Sequence, residues 1–570
     1  MKLTRPTIFR GLFLLVAVGV VFFLRMPSYS NSFCDPDLSD NYAAMLLLAG
    51  RCPYANAVMP EPPATIFLYA LNFLLFGYQM LSMYLIAAGW CAVSVLLLYL
   101  IGKKTINPAA GLAAAGLYAF YQADIMAAGS CPNYEFWTLL PSLVCLWLVA
   151  GPQPGRWRLV AGGAAACFAV SVKQPAGLFA LAGAVVIVAG AAAEGPPRKL
   201  RAAAERLGWY GLGAAAFVAL QAALMATVSC VGPMARELNP LNLGKYLTSY
   251  DQAARWSYAA QQVGRFWRSD RFLLIFLAVA VGAMLIAPRL RSALKAGGAA
   301  LLFLLAAVGA AYAGGHFFGH YFVWLAPFAC LVVGLFFGGL VKLERRGLTA
   351  LAALLLIGGA LFDSWPEIKL ASASTSGLAH TGSVLTESIF EANRQGKIEP
   401  GTSTEFIDDL EWQPTLKQIA DYMRAHLRPG QTIWAYDYFA ELYLFTRAFA
   451  PTRHQVNFEV VTSTTYAHYG LWHDALDAQV RRNRAQLMAE LNRNPPQFIV
   501  RQTFDCPDPR NRTGRAIPGW PVNIYGRPMA YCPTKMATFP ELEKLLTTRY
   551  RLVEPPVNPD LNLYRLIEPE

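Results

Sequence analysis

Charge is scarce in this chain. Only 15% of its 570 residues are Asp, Glu, Lys or Arg, where soluble domains carry about a quarter, so a single water-exposed globule is excluded. Lys and Arg are missing altogether from alternate loops, around 121–134 and 315–320. The C-terminal part shows no glycine-rich phosphate loop, and internal repeats and low-complexity tracts are absent.

What is abundant is apolar sequence. Runs near the ~20 residues that span a bilayer recur from Leu12 to Phe362, and the texture turns polar and proline-punctuated after Asp363. The pattern predicts a polytopic α-helical membrane protein with a C-terminal soluble α/β domain. Eleven spans are expected, at 8–25, 79–102, 108–124, 135–151, 157–173, 175–193, 209–231, 271–288, 297–314, 320–341 and 347–362. The division expected is a membrane domain over 1–363 with an acidic first outer loop at 26–63, a linker over 364–412 and an outer domain over 413–570. The first run reads as a retained helix, although a basic start followed by apolar residues also describes a signal peptide.

The net charge of +12 does not point to nucleic acid. Its cations gather in short loops: Lys2, Arg5 and Arg10; Lys103 and Lys104; Arg156 and Arg158; Arg198, Lys199 and Arg201; Arg289, Arg291 and Lys295; Lys342, Arg345 and Arg346. Loops that alternate between basic and cation-free obey the positive-inside rule. This puts the N-terminus in the cytoplasm and the C-terminal domain on the opposite side of the membrane. The apolar segment 62–76 is left out of the spans, because a crossing there would invert every later loop; it reads as an amphipathic helix lying in the interface.

Beyond the linker, "TLKQIADYMRAHL" has helical periodicity, "QTIWAYD" and "QFIVR" read as strands, "AELYLFT" as a short helix, 475–493 and "ELEKLLTT" as helices, and "YRLVE" and "LYRLI" as closing strands. Cys91, Cys145, Cys167 and Cys330 lie in apolar runs and read as buried hydrophobes. Cys34 with Cys52, and Cys506 with Cys532, are candidate disulfides in an oxidising compartment; Cys131 and Cys230 are a further candidate pair, and spacing does not fix the connectivity.

Against this apolar background the polar residues of one membrane face stand out. "SFCDPDLSDNY" (32–42) holds Asp35, Asp37 and Asp40 within six residues; Arg51 and Glu61 follow; Asn133 and Glu135 open the fourth span; Lys173 and Gln174 join the fifth and sixth; and His316, His320 and Tyr321 precede the tenth. Each alone is explained by capping or snorkelling, and Asp37 or Ser39 suits the N-cap of a helix through "NYAAMLLLA". Together, with nothing comparable opposite, they indicate a site. Lys173 sits where two spans meet almost without a loop, a costly place for an ammonium that an anion such as phosphate would relieve. Asp35 and Asp37 alternate in a way that suits a divalent cation, Mg or Mn. His316 and His320 have i, i+4 spacing, but their glycine neighbours favour hydrogen bonding to phosphate or sugar over metal ligation.

Ordered landmarks carry a resemblance: the acidic loop; "LLLAGRCPY" followed by "EPPATIFLYALNFLLFG"; "PNYEFWTLLPSL"; "VSVKQPAGL"; "HYFVWLAPFACLVVG"; and, outside, "QTIWAYDYFAELYLFTRAFAPTR". The chain resembles the GT-C type membrane glycosyltransferases, most nearly the bacterial family 39-like proteins related to protein O-mannosyltransferases and the lipid A aminoarabinose transferase. The resemblance implies a polyprenyl-phosphate sugar donor among the membrane lipids, a lipid, glycan or protein acceptor, and inverting transfer on the non-cytoplasmic face. A first-loop carboxylate would be the general base. Asp37 is expected in that role, with Asp35 next and Asp40 third; Lys173, with His316, His320 or Arg51, would meet the leaving phosphate. One departure matters, since Glu61 stands before the paired prolines where such proteins often have Lys or His. The rival readings are a transporter or flippase of a lipid-linked saccharide, which predicts polar residues near the bilayer midplane, and a non-enzymatic envelope assembly protein.

Overall fold

In a computed structural model of the chain, the described residues are 5–30, 39–59, 61–78, 81–124, 127, 129–151, 153–192, 198–239, 259–260, 263–264, 266–313, 319–375, 416–436, 441–455, 474–502, 539–554, 556–557 and 561–567. Each of the eleven expected spans contains a helix: Arg5–Leu24, Leu81–Thr105, Pro108–Tyr121, Tyr134–Val149, Arg156–Val172, Gly177–Ala192, Arg198–Ala226, Arg271–Ile286, Gly298–Ala313, Leu325–Lys342 and Arg346–Asp363. Among the described residues six helical segments are long and apolar enough to cross a membrane, seven if the pair bent by 104° after Ile286 counts as one span. The chain is a multi-pass membrane protein.

Local chemistry sets these boundaries. Asn107 accepts from the Ala110 N–H at 2.9 Å and Pro108 occupies the first helical turn, so a new helix starts immediately after the basic Lys103–Lys104 turn. The Asn107 amide also donates to the Gly338 carbonyl at 2.9 Å, fixing that end against Leu325–Lys342. Close helix approach depends on missing side chains. A Cβ on Gly334 would meet the Ala110 carbonyl oxygen at 2.6 Å, and one on Gly163 would run into the Tyr210 carbonyl.

The segment at 62–76 forms the helix Ala64–Phe76, about 20 Å long at 1.5 Å per residue and short of a bilayer core. It buries Ile66, Tyr69, Ala70 and Phe73 and exposes Leu71, Leu74, Leu75 and Phe76, as an interfacial helix would. The stretch expected as linker from 364 opens with a further helix, Trp365–Thr375, rather than with irregular chain. It packs Ala371 into a small cluster with Leu24 and Ala123, and apolar burial there overrides the polar texture. Residues 376–412 lie outside the described residues.

The C-terminal part is α/β. Strands β1 (Ile433–Ala435), β2 (Phe498–Gln502), β3 (Tyr550–Leu552) and β4 (Leu561–Leu566) form one sheet in the order β1-β2-β4-β3. β1 and β2 are parallel, with Trp434 opposite Ile499; β2–β4 and β3–β4 are antiparallel. One face packs Trp434, Tyr436 and Ile499 against Leu487 and Leu491 of the helix Asp474–Arg493 and Leu542 and Leu546 of Pro540–Arg549. The sheet part docks on the first loop. The Ala450 N–H donates to the Tyr42 hydroxyl at 2.9 Å, the Val58 N–H to Gln455 Oε1 at 3.2 Å, and Arg453 pairs with Glu237 at 2.5 Å.

At the bundle end opposite the basic loops, carboxylates that nothing in the sequence marks out meet in the interior. Asp363 Oδ2 accepts from the Tyr121 hydroxyl at 2.9 Å and from the backbone N–H groups of Phe272 and Leu273 at 2.9 and 3.3 Å. A distant Asp thereby caps the helix Arg271–Ile286. Beside it, Asp124 accepts from Ser269 Oγ at 2.6 Å and lies next to Asp270. Burial, and after it the Asp124 carboxylate, hold the Asp270 carboxyl well above the usual range. The folded chain therefore keeps a proton that the unfolded chain releases above about pH 4, and stability is lost as pH rises. Asp270→Asn is expected to raise the melting temperature at pH 8 and to shrink its difference between pH 5 and pH 8; an unchanged pH dependence would contradict this.

Candidate active site

The site grows from a break between two helices. Arg156–Val172 ends because Pro175, three residues on, cannot continue the hydrogen-bond ladder; Lys173 turns extended (φ −150°) and a single 3₁₀ turn, Gln174–Ala176, leads into the next helix. Lys173 is thus released from a helical face and reaches inward, only 8% exposed. Its ammonium lies 2.5 Å from Glu135 Oε1 and 3.8 Å from Glu61 Oε1. The rings of Tyr321 and Tyr134 lie 4.9 and 5.3 Å away, so aromatic faces add to the carboxylates in holding the cation.

Glu135 is fully buried in the first turn of Tyr134–Val149. Its other oxygen is 3.9 Å from His320 Nε2. Asn133 caps that helix, accepting from the Phe136 N–H at 2.9 Å. Trp324 Nε1 donates to Thr138 Oγ1 at 2.6 Å and stacks on Tyr321, which fixes the His320–Tyr321 turn against the same helix.

Glu61 ends the first loop, with Tyr54 donating to its carbonyl oxygen at 2.8 Å and the Gln174 amide meeting its carboxylate. Burial raises its pKa, the Lys173 charge opposes the rise and the Glu135 carboxylate adds to it.

Asp40 sits in the first turn of Ser39–Leu48 and is 1% exposed. Burial pushes its pKa up to about 7; the Thr65 and Tyr134 hydroxyls face its carboxyl and oppose that rise, the Glu61 charge raises it and Lys173 lowers it. Asp40 Oδ1 has no hydrogen-bond partner among the described residues. A buried carboxyl that titrates near neutrality with an open oxygen has the properties of a general base.

Seven expected residues, Asp40, Glu61, Glu135, Lys173, Gln174, His320 and Tyr321, therefore meet in one cluster drawn from five chain segments. Asn133 supports it as a cap. Arg51 turns instead to Asn56 Oδ1, at 2.9 Å, and to the Phe449 ring, at 4.9 Å, on the side of the C-terminal part. Asp35, Asp37, Cys34, His316, Cys506 and Cys532 lie outside the described residues. Among the described residues no group of three His, Cys, Asp or Glu has metal-holding geometry.

Two features carry no clear sequence signal. Arg25, fully buried at the end of the first helix, donates to Gln122 Oε1 at 3.0 Å and to the carbonyls of Gly129 and Ser130 at 2.8 and 2.9 Å, pinning the loop that leads into Asn133. A cation at a span's end looks ordinary in sequence, and only the loop folding over it shows the difference. The second is a disulfide. Cys52 pairs with Cys230, 178 residues away, not with the nearby Cys34, and Cys131 is also disulfide-bonded. After Arg198–Ala226 the chain turns back through Ser229 (φ 55°) and brings Cys230 over the first loop. Replacing Cys52 and Cys230 together by Ser is expected to lower stability by about 2–4 kcal/mol, read as a lower melting temperature under non-reducing conditions.

Known proteins share this frame. Residues 60–225 match the family described as dolichyl-phosphate-mannose-protein mannosyltransferase. Along 99% of its length the chain superposes on all of ArnT from Cupriavidus metallidurans, solved bound to undecaprenyl phosphate, at 14% identity and a TM-score of 0.53. The likeness is one of fold: the chain has a GT-C-like architecture. A fainter likeness is to the Archaeoglobus fulgidus oligosaccharyltransferase AglB, solved with an inhibitory peptide and a dolichol-phosphate; it has 10% identity over 87% of this chain and 69% of that one, with a TM-score of 0.46. No curated protein sequence matches the chain.

Proposed function

We propose that this GT-C protein transfers a sugar from a polyprenyl-phosphate donor to an envelope acceptor, inverting the anomeric centre, with Asp40 as general base. The observation that carries the reading is the buried cluster itself. One open carboxyl, Asp40, poised near neutrality, lies beside one buried ammonium, Lys173, at the end of a membrane bundle. Inverting transfer needs these two things: a base to take the acceptor hydroxyl's proton as it attacks, and fixed positive charge where the leaving phosphate gains negative charge. Asp40 replaces Asp37 as the preferred base because, of the three expected aspartates, it is the one among the described residues, and it lies in the cluster with its pKa raised to about 7.

The alternation of basic and cation-free loops supports a cytoplasmic N-terminus and a site on the non-cytoplasmic face of a bacterial inner membrane. A disulfide at that end suits an oxidising compartment. The division into a membrane domain over 1–363, a linker reaching 412 and an outer domain over 413–570 is kept as a proposal. So are the acceptor classes (lipid, glycan or protein) and a divalent metal at Asp35 and Asp37. The placement of the carboxylates at one bundle end rather than at mid-depth counts against the transporter reading.

The test is transfer from a panel of radiolabelled polyprenyl-phosphate sugars in reconstituted membranes, with and without chelator, comparing wild type with Asp40→Asn. Transfer by wild type and its loss in the variant is the expected result. Movement of lipid-linked saccharide across the bilayer without transfer would overturn the reading.

A further inference from the structure

The Lys173 ammonium is held unequally by its two carboxylates. Glu135 is at 2.5 Å, fully buried on a helix that Asn133 caps; Glu61 is at 3.8 Å, on a loop, with its side chain 17% exposed. Its second oxygen, Oε2, has no hydrogen-bond partner among the described residues. The first contact is short and rigidly supported. The second is longer, comes from a loop residue rather than from a capped helix, and involves the more exposed of the two side chains.

We infer that Glu61 is a placeholder for the donor phosphate, occupying the open side of the Lys173 ammonium until the phosphate displaces it. The inference rests on the proposed lipid-phosphate donor and adds a residue that sets how tightly that donor binds. With Glu135 and Glu61 both ionised, one ammonium faces two carboxylates, and a phosphate brought to the same place meets net repulsion. Donor binding then requires Glu61 to turn away or to take up a proton. The groups facing Glu61 among the described residues make proton uptake accessible: burial raises its pKa, Glu135 and Asp40 are like charges, and Lys173 and the Gln174 amide act the other way. Tyr54 holds the Glu61 backbone through its carbonyl, and His320 stays on the far side of Glu135. The balance is a proton taken from water onto Glu61 as the phosphodiester anion enters, and returned when the lipid leaves.

The experiment is equilibrium binding of undecaprenyl methyl phosphate, a phosphodiester that does not titrate in this range, to the full-length protein in detergent at pH 6 and pH 8.5. Wild type, Glu61→Gln, Glu61→Ala and Lys173→Met are compared. Wild-type affinity is expected to fall with rising pH. Both Glu61 variants should bind at least about tenfold more tightly than wild type at pH 8.5, the scale of one like charge removed at short range, with little change between the two pH values. Lys173→Met should bind weakly at both. Wild-type binding that does not weaken with pH, or that the Glu61 variants leave unchanged or reduce, overturns the placeholder role and leaves the donor reading standing. No binding by wild type or by either Glu61 variant at either pH overturns both.

Discussion

Asp40→Asn is expected to lose most of its transfer activity while the protein remains folded. The size expected is about 10²–10⁴-fold, the usual contribution of a positioned base. The Asp40 carboxyl is buried with the Thr65 and Tyr134 hydroxyls facing it and its pKa raised to about 7. Burial penalises the ionised form, so the folded protein would rather hold Asp40 neutral, and a neutral Asn of the same shape removes that penalty. The melting temperature of the variant at pH 8 is therefore expected to equal or exceed that of wild type, which separates loss of chemistry from loss of structure. In the wild type at saturating donor, transfer should rise with pH through about 7 as Asp40 becomes ionised. A fully active Asp40→Asn protein would remove this residue from the mechanism and return the role of base to Asp37 or Asp35.

Lys173→Met is expected to damage stability and chemistry together, and the two can be parted. Glu135 has no exposed surface, and deleting its 2.5 Å partner leaves a buried charge whose other ion-pair partner among the described residues is a histidine at 3.9 Å. Breaking a buried pair from one side costs about 3–5 kcal/mol. Removing both charges is expected to be far milder, because the desolvation cost disappears with them. Glu135→Gln/Lys173→Met should thus recover most of the lost melting temperature yet remain without transfer, since no fixed cation is left for the leaving phosphate. Thermal unfolding and the transfer assay on the three variants check this. Transfer retained by Lys173→Met would move the phosphate site elsewhere; a double variant as unstable as the single would mean that packing, not charge, dominates at Lys173.

Much of the architecture is legible in the linear chain, for a definite reason. A bilayer demands helices, lengths near 20 apolar residues and an asymmetry of loop cations. All three are written in local sequence, and each of the eleven segments so drawn contains a helix. The strands and helices beyond 416 are equally legible from alternation and turn residues, including the strands that hold Trp434 and Ile499, although their parallel pairing is not. The loop acids, Lys173 and the His320–Tyr321 turn are identifiable because polar groups at membrane ends are few enough to stand out.

What the sequence determined, then, is whatever follows from local hydropathy, charge and turn chemistry: a polytopic helical bundle, an α/β C-terminal part and a set of polar residues gathered at one end. What tertiary structure decided is everything that depends on which distant segments touch. It brought Asp40 into the cluster, tied Cys52 to Cys230 across 178 residues, turned Arg51 toward Phe449, set Asp363 as the cap of a helix some ninety residues earlier and divided Lys173 between a near and a far carboxylate. Burial and charge pairing are properties of the packed interior. A carboxylate is the same letter in the chain whether water or an ammonium will face it, and only packing makes the choice.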